Sequence, residues 1–128
     1  AALALGADLA YSGTRFIATE EARAVPDYKE MVVDSKAEDI VYSSLFTGVH
    51  GSYLKGSIPN AGMDPHNLPE GDKSHMDFSS IDTDAKAWRD ICGAGQGVGT
   101  IDDILPAYDV VMRMEQEYRE TLSKLSAR

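Results

Sequence analysis

The chain has 128 residues, the usual length of one domain, and 43% of them are apolar, enough for a modest core. Asp and Glu number 21 against 12 Lys and Arg, and the net charge of −9 without any Lys/Arg cluster excludes duplex nucleic acid as a partner. One cysteine, Cys92, excludes an intrachain disulfide and favours a reducing, cytoplasmic setting. No apolar run approaches the ~20 residues of a membrane helix, and no signal peptide is present, so the expectation is a soluble, non-membrane protein.

In chain order, residues 1–5 read as the last turn of a helix, with Gly6 as its C-terminal residue. Asp8 to Ser12 is short and mostly apolar, the pattern of a buried strand, and Gly13-Thr14 turns the chain. Thr19-Glu-Glu-Ala22 fits a helix start, and Pro26 to Asp34 a second short helix with Pro in its first turn. Asp39 to Phe46 is β-branched and aromatic, and reads as a strand or extended segment. His50 to Ala61 is ambiguous: Tyr53, Leu54 and Ile58 have helical spacing, and Gly62 ends the element. Residues 63–83 form a polar loop, 84–92 resume a helical pattern around Trp88 and Ile91, and Gly93 to Gly99 is glycine-rich. After Pro106, apolar residues from Ala107 to Leu125 recur every three or four positions, which predicts a long amphipathic helix supported by a Glu120–Lys124 pair. Such a helix packs on its own domain or, alternatively, binds a partner. The start lacks both Met and a helix cap, which leads us to expect a truncated chain.

Gly13-Thr14 after a buried strand is a candidate phosphate turn. Glycine lets phosphate oxygens approach backbone N–H groups, and the Thr hydroxyl adds a donor. The same dipeptide is also an ordinary strand-end turn. Gly93-Ala-Gly-Gln-Gly-Val-Gly99 matches neither a dinucleotide fingerprint nor a P-loop. Its backbone can lie against a flat ligand with Gln96 as a hydrogen-bonding side chain, or it can be a flexible link between helices. His50, His66 and His75 have no metal-ligand spacing, and no metal site is expected. Cys92 has no adjacent cation and reads as a packing residue. There is no Gly-x-Ser-x-Gly nucleophile, and the residues form no complete catalytic apparatus.

The pattern Ala-Leu-Ala-Leu-Gly-Ala-Asp, then Gly-Thr-Arg-Phe and Ala-Thr-Glu-Glu-Ala, from Ala2 to Ala22, closely resembles the end of the nitronate monooxygenase family. Trp88 to Gly99, Tyr42 to His50 and the closing helix after Pro106 are similar too. The resemblance implies an FMN-dependent oxidoreductase, and an α/β fold in which this chain is a C-terminal fragment of a TIM (β/α)8 barrel with a helical extension. Residues 1–22 would end the barrel with the phosphate-binding turn, 23–100 form the extension, and 101–128 the C-terminal helix. Asp8 to Ser12 would be the last barrel strand. Tyr11, Ser12, Gly13 and Thr14 would contact the FMN phosphate, largely through backbone N–H groups, and Gln96 would lie nearer the flavin ring. The family's catalytic His and the first seven strands have no counterpart here. No catalytic role therefore passes to the three histidines, and the chain alone is expected to be inactive.

Three readings follow. The first is the C-terminal part of a nitronate monooxygenase-like flavoenzyme, possible as a homo-oligomer, that oxidises alkyl nitronates with O2. The second keeps the flavin barrel with an enoyl thioester as substrate. The third is a non-catalytic α/β interaction module that binds no cofactor and docks a partner through its last helix.

Overall fold

The computed structural model describes residues 2–3, 5–46, 49–68 and 90–127. They form a mixed α/β unit. Helix α1 (Thr14–Ile17) is followed by α2 (Pro26–Asp34), a 3-10 turn at Ala37–Asp39, strands β1 (Ile40–Ser43) and β2 (Gly51–Leu54), 3-10 helices at Lys55–Ala61 and Gln96–Thr100, and the long helix α3 (Ala107–Ser126).

Helix α2 lies where its sequence put it. Pro26 occupies the first turn, where its missing N–H costs nothing, and Asp27 faces the positive end of the helix dipole. The helix buries Val32, and the Ser35 hydroxyl closes its last turn by donating to the Met31 carbonyl at 2.6 Å. Strands β1 and β2 pair antiparallel, Ile40 opposite Leu54 and Ser43 opposite Gly51. β1 is shorter than predicted. At its end the Leu45 N–H donates to the Ser43 hydroxyl (3.1 Å), a local bond that competes with the ladder.

The other side of β2 is taken by residues around Gly93. Leu54 N–H donates to the Cys92 carbonyl at 2.8 Å and Ala94 N–H to the Ser52 carbonyl at 3.1 Å. The glycine-rich stretch is therefore ordered by pairing and by the burial of Val98, and is not a flexible link. The ambiguous segment 50–61 divides into a strand and a 3-10 helix containing Pro59. Leu54 and Ile58 are both fully buried, in adjoining clusters. The larger cluster joins Ala18, Val32, Leu54, Ala94, Val98 and Ile101. The smaller joins Phe46, Ile58 and Ile91, with Tyr53 set edge-on to Phe46 at 4.8 Å between ring centroids.

The N-terminal turn behaves as its composition implies. Gly6 adopts φ 94°, and Ala7 and Gly6 donate to the carbonyls of Ala2 and Leu3, the bond pair of a Schellman cap. Residues 8–12, by contrast, are not a strand. A strand needs a neighbour for its N–H and C=O groups, and no described residue pairs with this segment. Leu9 is 88% exposed and Tyr11 fully so.

Thr19 to Ala22 is not a helix start either. Thr19 bridges Leu105 in parallel, and the Lys29 ammonium takes the carbonyls of Thr19 (2.6 Å) and Glu20 (3.1 Å) that a helix would use. Glu21 instead caps another element, its carboxylate accepting the Ala107 N–H at 2.8 Å. That bond satisfies an orphan donor at the start of α3. Helix α3 confirms the periodicity after Pro106, yet only Val110 is buried. Val111, Met114, Tyr118, Leu122 and Leu125 remain exposed, so among the described residues α3 is packed only through its first turn. Glu120 accepts from Gln116 at 2.9 Å, and among the described residues Arg119 and Glu115 form an i,i+4 ion pair on this helix at 2.6 Å. Among the described residues, no helix is long and apolar enough to cross a membrane.

Candidate functional site

Tyr11, Ser12, Gly13 and Thr14 line one cleft of about 440 Å³ between the start of α1, the Gln96–Thr100 helix and the first half of α3. That volume lies within the range of small-ligand sites, roughly 300–1,000 Å³. The cleft is held from both sides. The Gly95 N–H donates to the Thr14 hydroxyl at 3.0 Å, so the glycine-rich segment is tied to the Gly-Thr turn across 81 positions of sequence. The Phe16 N–H closes on the Gly13 carbonyl at 2.9 Å. Within the glycine-rich segment Gly97 lines the cleft; Gln96 opens the 3-10 helix beside it and is exposed. Four of the five residues singled out in sequence thus share one surface, and the fifth adjoins it.

The donors suit an oxyanion. A Cβ on Gly13 would meet no atom within 4 Å, so the space before this turn is open. The N–H groups of Thr14 and Arg15, which begin α1, have no intrahelical partner. The Thr14 oxygen accepts from Gly95, which leaves its own proton free to donate. These groups fit the phosphate end of FMN; the described residues give no comparable cradle for a flavin ring.

Three residues of the site escaped sequence reasoning: Arg15, Asp103 and Arg113. The Arg15 side chain, only 12% exposed, pairs with one Asp103 oxygen at 2.7 Å and also donates to the carbonyls of Ala18 (3.0 Å) and Asp103 (3.1 Å). The other Asp103 oxygen pairs with Arg113 at 2.7 Å. Asp103 thereby joins α1 to α3 beside the cleft. Its hydrogen bond and charge push the Arg113 pKa further above its ordinary value. Arg15 stood inside the Gly-Thr-Arg-Phe block, a signal that was available. Arg113 looked like any charge on a solvated helix face, and its distance from Arg15 was invisible.

The remaining candidates are quieter. His50 is exposed and lies against Tyr42, with 5.0 Å between ring centroids. His66 is exposed in a turn, its N–H donating to Asp64, while His75 and Trp88 lie outside the described residues. Cys92 is half-buried against the larger cluster. Burial pushes its thiol up, the Ser57 hydrogen bond opposes this, and Asp90 adds to it, as suits a packing residue. Tyr28 donates its hydroxyl to the Gly93 carbonyl; burial, with a smaller contribution from the nearby Cys92, pushes its pKa up to about 12. Among the described residues, no group of three or more His, Cys, Asp or Glu could hold a metal ion.

No family model matches the chain. The nitronate monooxygenase of Neurospora crassa is 28% identical to it over 137 positions, covering 98% of this chain and 36% of that protein. The chain resembles nitronate monooxygenases along nearly its whole length. A Mycobacterium tuberculosis protein provisionally named a monooxygenase is also 28% identical, with the same coverage of both. Among solved structures, a FabK variant from Thermotoga maritima matches with a TM-score of 0.67 at 27% identity, covering 98% of this chain and 38% of that one. Unmodified FabK from that organism matches at 0.65 and 23% identity, a likeness of fold alone. The chain spans 36% of the length of the curated relatives it matches.

Proposed function

We propose that this chain is the cofactor-phosphate-binding part of an FMN-dependent oxidoreductase of the nitronate monooxygenase type. Its residues 8–12 would be completed as a strand by the rest of a (β/α)8 barrel. The observation that carries the reading is the convergence of Tyr11, Ser12, Gly13 and Thr14 with Gly97 on one cleft, because the resemblance singles out the first four for FMN. The backbone N–H groups of 12–14 and the Thr14 hydroxyl would hold the phosphate, and the Thr14–Gly95 bond keeps the Gly-Thr turn and the Gln96 segment in register. FMN, when bound, supplies the electron acceptor that oxidises the substrate and is reoxidised by O2. Catalytic base and substrate pocket would belong to residues beyond these.

The test is flavin binding by the protein at its natural length. The expected result is a flavin absorption spectrum in the purified protein, with FMN released on denaturation, and weaker retention of FMN in the Thr14→Ala variant. A colourless, cooperatively folded protein that binds no flavin would overturn the reading and favour a non-catalytic interaction module. A second substrate class on the same flavin site is an enoyl thioester, since one barrel fold hosts several chemistries. Turnover of an alkyl nitronate against turnover of an enoyl thioester separates the two.

A further inference from the structure

We infer that Arg113, oriented by Asp103, reads the charge of the anionic group that enters this cleft. The inference rests on the FMN reading and adds to it a residue that no sequence pattern assigned. Arg113 lines the same cleft as Gly13 and Thr14, the turn that would hold the phosphate. Its position is fixed in two steps. One Asp103 oxygen holds Arg113 at 2.7 Å, and the other is held by Arg15 at 2.7 Å. Arg15 is anchored in turn on the carbonyls of Ala18 and Asp103. A flexible surface arginine would lose side-chain entropy on binding an anion; this one has already given up part of it.

The pairing does not exhaust Arg113. A guanidinium carries five N–H donors in a planar fork, and Asp103 engages one terminal nitrogen. Two guanidiniums share the Asp103 carboxylate, so the trio keeps one positive charge. Two acidic groups oppose it. Asp102 stands 3.9 Å from Arg113 but is 86% exposed and screened by solvent. Glu117 lines the cleft itself and disfavours an anion there. Arg113 therefore offsets a local acidic bias in a chain of net charge −9, and the site discriminates through it.

The experiment compares riboflavin with its phosphate ester, FMN, titrated against the natural-length protein by flavin fluorescence, with thermal unfolding as a check on folding. Wild type is expected to prefer FMN. Arg113→Met is expected to lower that preference about ten-fold, the scale of one charge-assisted hydrogen bond, with riboflavin binding unchanged. Arg113→Lys keeps the charge and retains part of the preference. Glu117→Gln raises it. Arg119→Met, an exposed pair on the same helix, leaves it unchanged. Asp103→Asn lowers the preference less than Arg113→Met, and Asp103→Glu restores it. Equal weakening of both flavins by Arg113→Met would mark a structural role and overturn the inference, as would an unchanged preference. A wild-type protein that binds neither flavin would overturn the function as well, which separates the two failures.

Discussion

The centre of the molecule and its two ends use the same kinds of apolar residue and treat them in opposite ways. Leu54, Val32, Ile58 and Val98 are fully buried, because β2 is paired on both sides and the 3-10 helices fold back over it. Leu5 and Leu9 are nearly 90% exposed, and Tyr11 completely so. Beyond its first turn, α3 likewise carries Val111, Met114, Tyr118, Leu122 and Leu125 uncovered. Leu3 joins six α3 residues, four of them the apolar Met114, Tyr118, Leu122 and Leu125, to line a groove of about 350 Å³. Apolar periodicity says that a face will be buried, not by what. In the centre the partner lies within the chain. At the ends no described residue supplies one, and the candidate cleft lies where the two regimes meet.

The comparison breaks most easily at its buried side. Leu54→Ala is expected to cost about 2–5 kcal/mol in denaturant unfolding, because it opens a cavity where both clusters adjoin. Ser57→Ala should cost about 1–3 kcal/mol, because the buried hydroxyl donates to the Leu54 carbonyl at 2.7 Å and accepts the Cys92 N–H at 2.9 Å, leaving that donor without a partner. Asp103→Asn, which removes two partly exposed ion pairs, should cost about 1 kcal/mol by the same measurement, diminishing with salt.

Tyr28 gives the pH arm. Its pKa rises from 10.0 to about 12 on folding, so the folded state holds its proton more tightly. The stabilisation is complete below pH 10 and is lost as pH rises towards 12. Unfolding followed against pH should show this loss in wild type and not in Tyr28→Phe. The smallest effect is expected at the exposed end: on the contacts described here, Leu9→Ala should change stability by no more than about 0.5 kcal/mol. A clearly larger loss in the natural-length protein would show that other residues cover Leu9, as the barrel reading requires.

What the sequence determined by itself was local. Pro26 and the acidic residue after it marked α2, Gly6 marked a cap, and the spacing from Ala107 to Leu125 marked α3, because each signal concerns groups within one or two turns of each other. The resemblance from Ala2 to Ala22 selected Tyr11, Ser12, Gly13 and Thr14, and these proved to share a surface. Tertiary structure decided the rest. Residues 8–12 have strand composition but no ladder, since a strand is made by its neighbours. The run Thr19 to Ala22 has helix-start chemistry, yet Lys29 and Leu105 claim its backbone and Glu21 caps a helix 86 positions away. Asp103 could not be read as the link between Arg15 and Arg113, because a carboxylate bridging two guanidiniums is a fact of distance, and sequence spacing carries no distance once the chain has turned back on itself.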